Sequence, residues 1–449
     1  MKQKFLKVSL LLFLLLIGVF LFATIAIGNV SAYKLADAAM PPAKPVTCGQ
    51  PASYVVIDSY SYDSSTMDTN ALSLDGQMFS SDEEAIKHTV QAYFILRYEF
   101  LKNPTQETFS LVSAPNDPDA LSWLNRENSR QRIERYKAAL LNTQYLDYKF
   151  TLDYVGFEFS ASTVVLHLLE SHWVRYASNP DFISNLVNLD HFVTLKRTGG
   201  RWLIVSDEYP EDLLYQSIKA ETEADILETI KRNYEMQSGT IAPESDTLPT
   251  SDILADPMLA TYVYNRTAAK NYSDKWYSGT GPVPAFIRNL AGWDPSYPTR
   301  YCRYADVDCT NFVSQAIFQG TRLTSSQPSY FNPDYTHYGD WWYYKFSSIV
   351  DGSQPWVSTG NLFDFLTTNK RRGPFGKTTT LCGLSQGDIV FMKNSAYIWQ
   401  HAVTVSVIAG TCQNPGSIIV NSHNPDIQAP LSYFSNLKWF PVVISGYRK

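Results

Sequence analysis

The chain has 449 residues, of which 45% are hydrophobic, 18% charged and 14% aromatic. That size and apolar content exclude a disordered chain and predict two to three domains with cores of their own. The net charge of −6 is unevenly spread: residues 255–449 hold 16 Lys and Arg against 11 Asp and no Glu. A basic second half and an acidic first half predict different surfaces and separate domains. The lack of Glu excludes an HExxH metallopeptidase in the second half and weakens any glycosidase built on Glu.

In chain order, Lys2, Lys4 and Lys7 precede the apolar run "VSLLLFLLLIGVFLFATIAIG", residues 8–28. A positive start before an apolar stretch reads as an export signal, with Val30 and Ala32 as small-residue cleavage positions. The run is also long enough to span a bilayer, so residues 1–32 read as a signal peptide or a membrane anchor. Either way the remainder is expected to be secreted or held on the outer face of the membrane, where disulfides are permitted. Residues 33–80, rich in Pro, Ser, Ala and Asp, read as a spacer.

Residues 82–103, "DEEAIKHTVQAYFILRYEFLKN", predict a helix: acidic residues favour its start and apolar positions recur every three to four residues. Residues 128–142 repeat that character. "YLDYKFTLDYVGFEFS" and "STVVLHLLESHWVRYA" then alternate with period two, which predicts strands. "HFVTLKRTGGRWLIVSDEY" predicts a hairpin turning at Gly199 and Gly200. Helices followed by antiparallel strands give an α+β domain over 81–237. This order resembles the cone-shaped nuclear-transport-factor-like fold. His172, on one of these strands, reads as structural. Residues 212–236 return to helix, and 238–254 read as a linker. The second domain, 255–449, opens with a helix whose Tyr264, Ala268, Tyr272 and Trp276 share one face.

The five cysteines are Cys48, Cys302, Cys309, Cys382 and Cys412. An odd number leaves at least one free thiol. Cys302 reads as packed or unpaired. A Cys382–Cys412 disulfide stays open, because spacing alone does not fix its geometry. Cys309 opens "DCTNFVSQAIFQG", a short amphipathic helix with Phe312, Val313, Ala316 and Ile317 on one face and Gly320 at its end. At a helix start, free amides and the dipole favour a thiolate, the nucleophilic form. Asp308 reads as the helix cap. A cysteine nucleophile needs a base, and the base needs a group to orient it. "WQHAVTVSVIAG" puts His401 at the mouth of a strand, and "SIIVNSHNPD" carries Asn421 and His423 on one face of the next. Either could take the bond from the His401 ring. No cofactor is expected, and no metal, since Cys309, His401 and His423 lack a fourth ligand. Nucleic acid is not an expected partner. Trp341, Trp342 and Trp356 read as core first and cleft lining second, and "NKRRG", 369–373, as a solvated loop first and a contact for an anionic polymer second.

"YNRTAAKNYSDKWY", "DCTNFVSQAIFQG", "WVSTGNLFDFL", "GDIVFM", "HAVTVSVIAG" and "NSHNPD", in that order, resemble the amidase-domain family of exported bacterial proteins. That family is grouped with papain-like cell-wall peptidases and CHAP amidases. The resemblance covers residues 255–445. It implies a papain-like α+β domain with Cys309 as nucleophile, His401 as general base and His423 as orienter. It also implies amide bonds of the envelope, peptidoglycan above all, as substrate and partner. The segment before Cys309, "SYPTRYCRYADVD", departs from papain-like enzymes in offering no Gln or Asn as an oxyanion donor. Tyr301, Tyr304 or a backbone amide is left to serve, the N–H of Cys309 being one donor.

Overall fold

Caps and turns decide where the elements of the first half begin. The computed structural model describes residues 54–66, 79–104, 109–238, 260–279, 281–282, 300–301, 303, 308–321, 341, 353–369 and 372–448. The leader, linker positions 239–254, Cys48, Cys302, Trp342, Lys370 and Arg371 lie outside them. Helix α1 (Asp82–Lys102) starts where the Ser81 side chain accepts the Glu84 amide, with Asp82, Glu83 and Glu84 at its positive end. Helix α2 (Pro118–Leu141) starts ten residues before the sequence pattern predicts. Asp117 caps it, and Pro118 takes a first position that needs no N–H. Its buried residues include Ala120, Trp123 and Glu127, and the buried glutamate hides the apolar period.

Strands β2 (Tyr145–Ser160), β3 (Thr163–Tyr176), β4 (Asn179–Thr198) and β5 (Arg201–Glu208) follow as an antiparallel meander. The β4–β5 turn uses Gly199 and Gly200 at φ 59° and 83°, the left-handed conformation a two-residue hairpin requires. Strand β1 (Asp58–Asp63) pairs with β2 and corrects the spacer reading of that stretch. "DSYSYD" alternates, and its Tyr62 is buried on the rings of Tyr148 and Phe150. Val90, Tyr93 and Phe94 of α1 pack on Phe150, Leu152, Leu166, Val193 and Leu195 of the sheet. His172 is buried, bonded to Tyr98 and Glu170, in keeping with a structural role. The predicted helix 212–236 is two helices, α3 (Leu213–Ala220) and α4 (Glu223–Gln237), because Thr222 leaves the helical path and caps the second.

The second half contributes β6 (Thr261–Tyr262), α5 (Arg266–Trp276), α6 (Asp308–Gly320), α7 (Thr359–Thr368), β7 (Gly373–Thr378) and β8 (Ile389–Lys393). Then come β9 (Trp399–Ile408), β10 (Ile418–Ser422), β11 (Asp426–Pro430) and β12 (Lys438–Arg448). Cys382 and Cys412 form a disulfide, which ties the segment before β8 to the turn after β9. Trp341 and Trp356 are buried and their rings lie 4.7 Å apart, so both are core.

The described strands of both halves lie in one sheet, in the order β1-β2-β3-β4-β11-β10-β9-β8-β12-β6, with β5 also on β4 and β7 also on β12. The joint is β4. Its last third pairs with β5, from Phe192 to Thr198. Its earlier edge is taken by β11, with Val187, Leu186 and Asn185 opposite Asp426, Ile427 and Gln428. An edge of unpaired amides and carbonyls would otherwise stay open there. One apolar core crosses the joint: Leu186, Leu189, Tyr209 and Leu213 pack with Val390, Val403, Val405, Val420 and Phe434. Cys48–Lys449 accordingly forms one compact unit. The architecture is mixed α and β around a large antiparallel sheet.

Candidate active site

Helix α6 is buried on nearly every side rather than amphipathic: from Asp308 to Phe318 each residue is buried. It packs between β9, β10 and α5, so its polar residues bond to other elements. Asn311 accepts from Trp356 Nε1 at 2.7 Å, and Ser314 donates to the Trp356 carbonyl at 2.9 Å. Cys309 is its second residue and a free thiol. Its Sγ lies 3.7 Å from Thr310 Oγ1, which in turn is 2.8 Å from Thr359 Oγ1 at the start of α7. The Ala402 amide also reaches the sulfur. Burial pushes the thiol up from its ordinary value; the bonds from Thr310 and Ala402 oppose this without overcoming it. Burial thus works against the acidic thiol that the helix start favours.

Register decides where the two histidines point. Asn421 of β10 is paired with Thr404 of β9, and cross-strand partners share a face. His401 is three residues from Thr404, so alternation turns it to the other face. There its ring stacks on Phe434, and Nε2 lies 2.6 Å from Ser422 Oγ. Asn421 and His423 do share a face, as alternation predicts, but it is the one covered by α5 and α6. Asn421 donates to Ser273 and Asp274 of α5 and accepts from Gln428. His423 stacks on Phe312 of α6, their centroids 4.1 Å apart. The structure therefore brings neither Asn421 nor His423 to His401; the group on its ring is Ser422, one residue from each, a serine that composition and spacing do not single out.

The hydrogen bonds assign the His401 tautomer. The Ser422 hydroxyl donates to the His423 carbonyl at 3.0 Å, so its oxygen accepts from His401 Nε2–H. Nδ1 then carries the lone pair, and among the described residues it has no hydrogen-bond partner. Burial holds the ring neutral, with its pKa down at about 3. No hydrogen bond joins His401 to Cys309 among the described residues. The two meet through the backbone, since the amide that reaches the sulfur belongs to the residue after His401.

His423 has the opposite character. Nδ1 donates to Asp308, and Nε2 donates at 2.8 Å to the Trp276 carbonyl at the end of α5. Two acceptors on one ring select the imidazolium. Burial works against that charge, but Asp426 and Asp308 outweigh it and raise the pKa. Asp308 bonds to side chains here, accepting from His423 and, at 2.7 Å, from Asn311 Nδ2. The pair anchors the start of α6 beneath Cys309.

These features define a buried thiol at a helix start, set against a strand that carries a neutral histidine with a free lone pair. Residues 263–444 match the family model described as "Putative amidase domain", which supports amide-bond hydrolysis in general. No curated protein and no solved structure matches the chain.

Proposed function

We propose that this chain is an exported cysteine hydrolase of papain-like type that cleaves amide bonds of the cell envelope, with peptidoglycan as its substrate. The observation that carries the chemistry is the Ser422 bond, which leaves His401 neutral with Nδ1 as a proton acceptor. Cys309 starts as a thiol. His401 takes its proton as Sγ attacks the amide carbonyl, so no resting ion pair is needed. The same proton passes to the leaving amine, and a thioester remains. Water then attacks the thioester, His401 taking its proton and returning it to the sulfur. The Cys309 amide serves as one oxyanion donor. His401 lies on the sheet face away from α6, so bringing its ring to Sγ takes a change of backbone at the start of β9, and substrate binding is the step that supplies it. The apolar leader and the basic second half support an anionic polymer outside the cytoplasm.

A second reading is a wall-binding module without turnover. It is favoured by the missing Cys309–His401 bond and by the raised thiol pKa. Digestion of purified cell wall, followed by mass spectrometry of the soluble fragments, separates the two. The hydrolase releases peptides or amines that Cys309→Ala does not. Equal release by both proteins removes the mechanism, and co-sedimentation with the wall without release selects the binding module.

A further inference from the structure

We propose that Glu211, in the N-terminal half, is a positioning residue for Cys309 and acts through Asn424; this rests on Cys309 being the nucleophile. The first amides of a helix have no acceptor within it. At the start of α6, the Asp308 N–H donates to Asn424 Oδ1 at 3.1 Å. Asn424 lies in the β10–β11 turn, so this is a helix cap supplied by a distant segment. A primary amide has a donor end and an acceptor end of nearly the same shape, and the group at the far end decides which one faces the helix. Here Asn424 Nδ2 donates to Glu211 Oε1 at 3.0 Å. Burial raises the Glu211 pKa to about 7. Ionised, above that pH, its carboxylate only accepts and so commits Oδ1 to the Asp308 amide. Reversed, the side chain would set an N–H against an N–H, one residue from the sulfur.

Two further observations place this link among built contacts. Asn424 has φ 53°, a left-handed conformation in which Asn is at home. Beside it, Arg303 and Asp426 form a largely buried ion pair at 2.6 Å. The segment between β5 and α3 that carries Glu211 is thus held against the turn that caps the nucleophile's helix. The N-terminal half completes the site.

The test uses the full chain with Glu211→Ala and Glu211→Gln, and both readouts are taken at pH 8, where Glu211 is ionised. Hydrogen exchange is read on the peptide covering the start of α6, with peptides from α1 and β12 as controls. Alkylation of Cys309 by iodoacetamide is read by mass spectrometry, with Cys309→Ser as the blank. Glu211→Ala is expected to speed both exchange at the α6 start and alkylation of the buried thiol about tenfold, as loss of one hydrogen bond predicts. Glu211→Gln keeps an oxygen for Asn424 and restores both. Wild-type behaviour of Glu211→Ala, or Gln behaving as Ala does, overturns the proposal. If Glu211→Ala does not fold, Asn424→Asp replaces the donor, sets a second carboxylate against Glu211, and must move the same two readouts; no change overturns the proposal equally. Because neither readout needs turnover, an effect of Glu211 in a protein that releases nothing from cell wall would retain this link and remove the hydrolase.

Discussion

Ser422 is the smallest group on which the proposed chemistry depends. Its hydroxyl donates to the His423 carbonyl and accepts from His401, which sets the imidazole tautomer. Ser422→Ala leaves a buried ring N–H without its partner. The expected cost is about 1–2 kcal/mol in stability, measured by urea unfolding, with kcat about tenfold lower on cell-wall substrate. The His401 ring also sets a pH signature. Its folded pKa, about 3 through burial, lies below the unfolded value of about 6.5. The unfolded chain therefore binds the proton first. Stability from the neutral ring is fully present above about pH 6.5 and is lost as pH falls toward 3. Thermal unfolding between pH 7 and 4 should show a smaller decline for His401→Gln than for wild type.

Among the elements, β8, β9 and α6 form the frame of the site, and the Cys382–Cys412 disulfide lies at the end of β8 and β9 remote from His401. Cross-linking across 30 residues restricts the unfolded chain by about 3–4 kcal/mol in the chain-entropy account. Cys382→Ser with Cys412→Ser should lower the unfolding free energy by a comparable amount. The alkylation rate of Cys309 in the native state should stay as it is. A large rise in that rate would place the disulfide's role at the site itself. Most elements of the first half were legible in advance, because period-two alternation in β2 and β3 and the caps around α1 are local signals. In the second half α5, α6, β8, β9 and β10 were legible, and β6, α7, β7, β11 and β12 were not. The start of α2 was not, since its stripe includes the buried Glu127. Helix α6 looked amphipathic because its polar residues find their partners on other elements.

For the whole molecule, the shared sheet and the core across β4 and β11 join the two halves energetically. Asn233 of α4 donates to the carbonyls of Ser435 and Leu437, and Asn436 donates to that of Leu213. Residues 79–449 are expected to unfold in one transition. Residues 255–449 alone would expose the face formed by Val390, Val403, Val405 and Val420, and should be insoluble or bind a hydrophobic dye. A soluble, cooperatively folding 255–449 fragment would show instead that the halves are energetically separate.

By itself the sequence determined the helix that carries Cys309, the strands that carry His401 and Asn421, and the order in which they come, because these follow from local period and composition. Only the tertiary structure decided which side chains meet. The pairing of Asn421 with Thr404 sends His401 to the face opposite Asn421 and His423, and so to Ser422. Burial, a property of the assembled fold, raises the Cys309 thiol that its helix position alone would make acidic. The contact between Glu211 and Asn424 spans 213 positions of chain. No periodicity reaches that far, so folding alone brings the pair together.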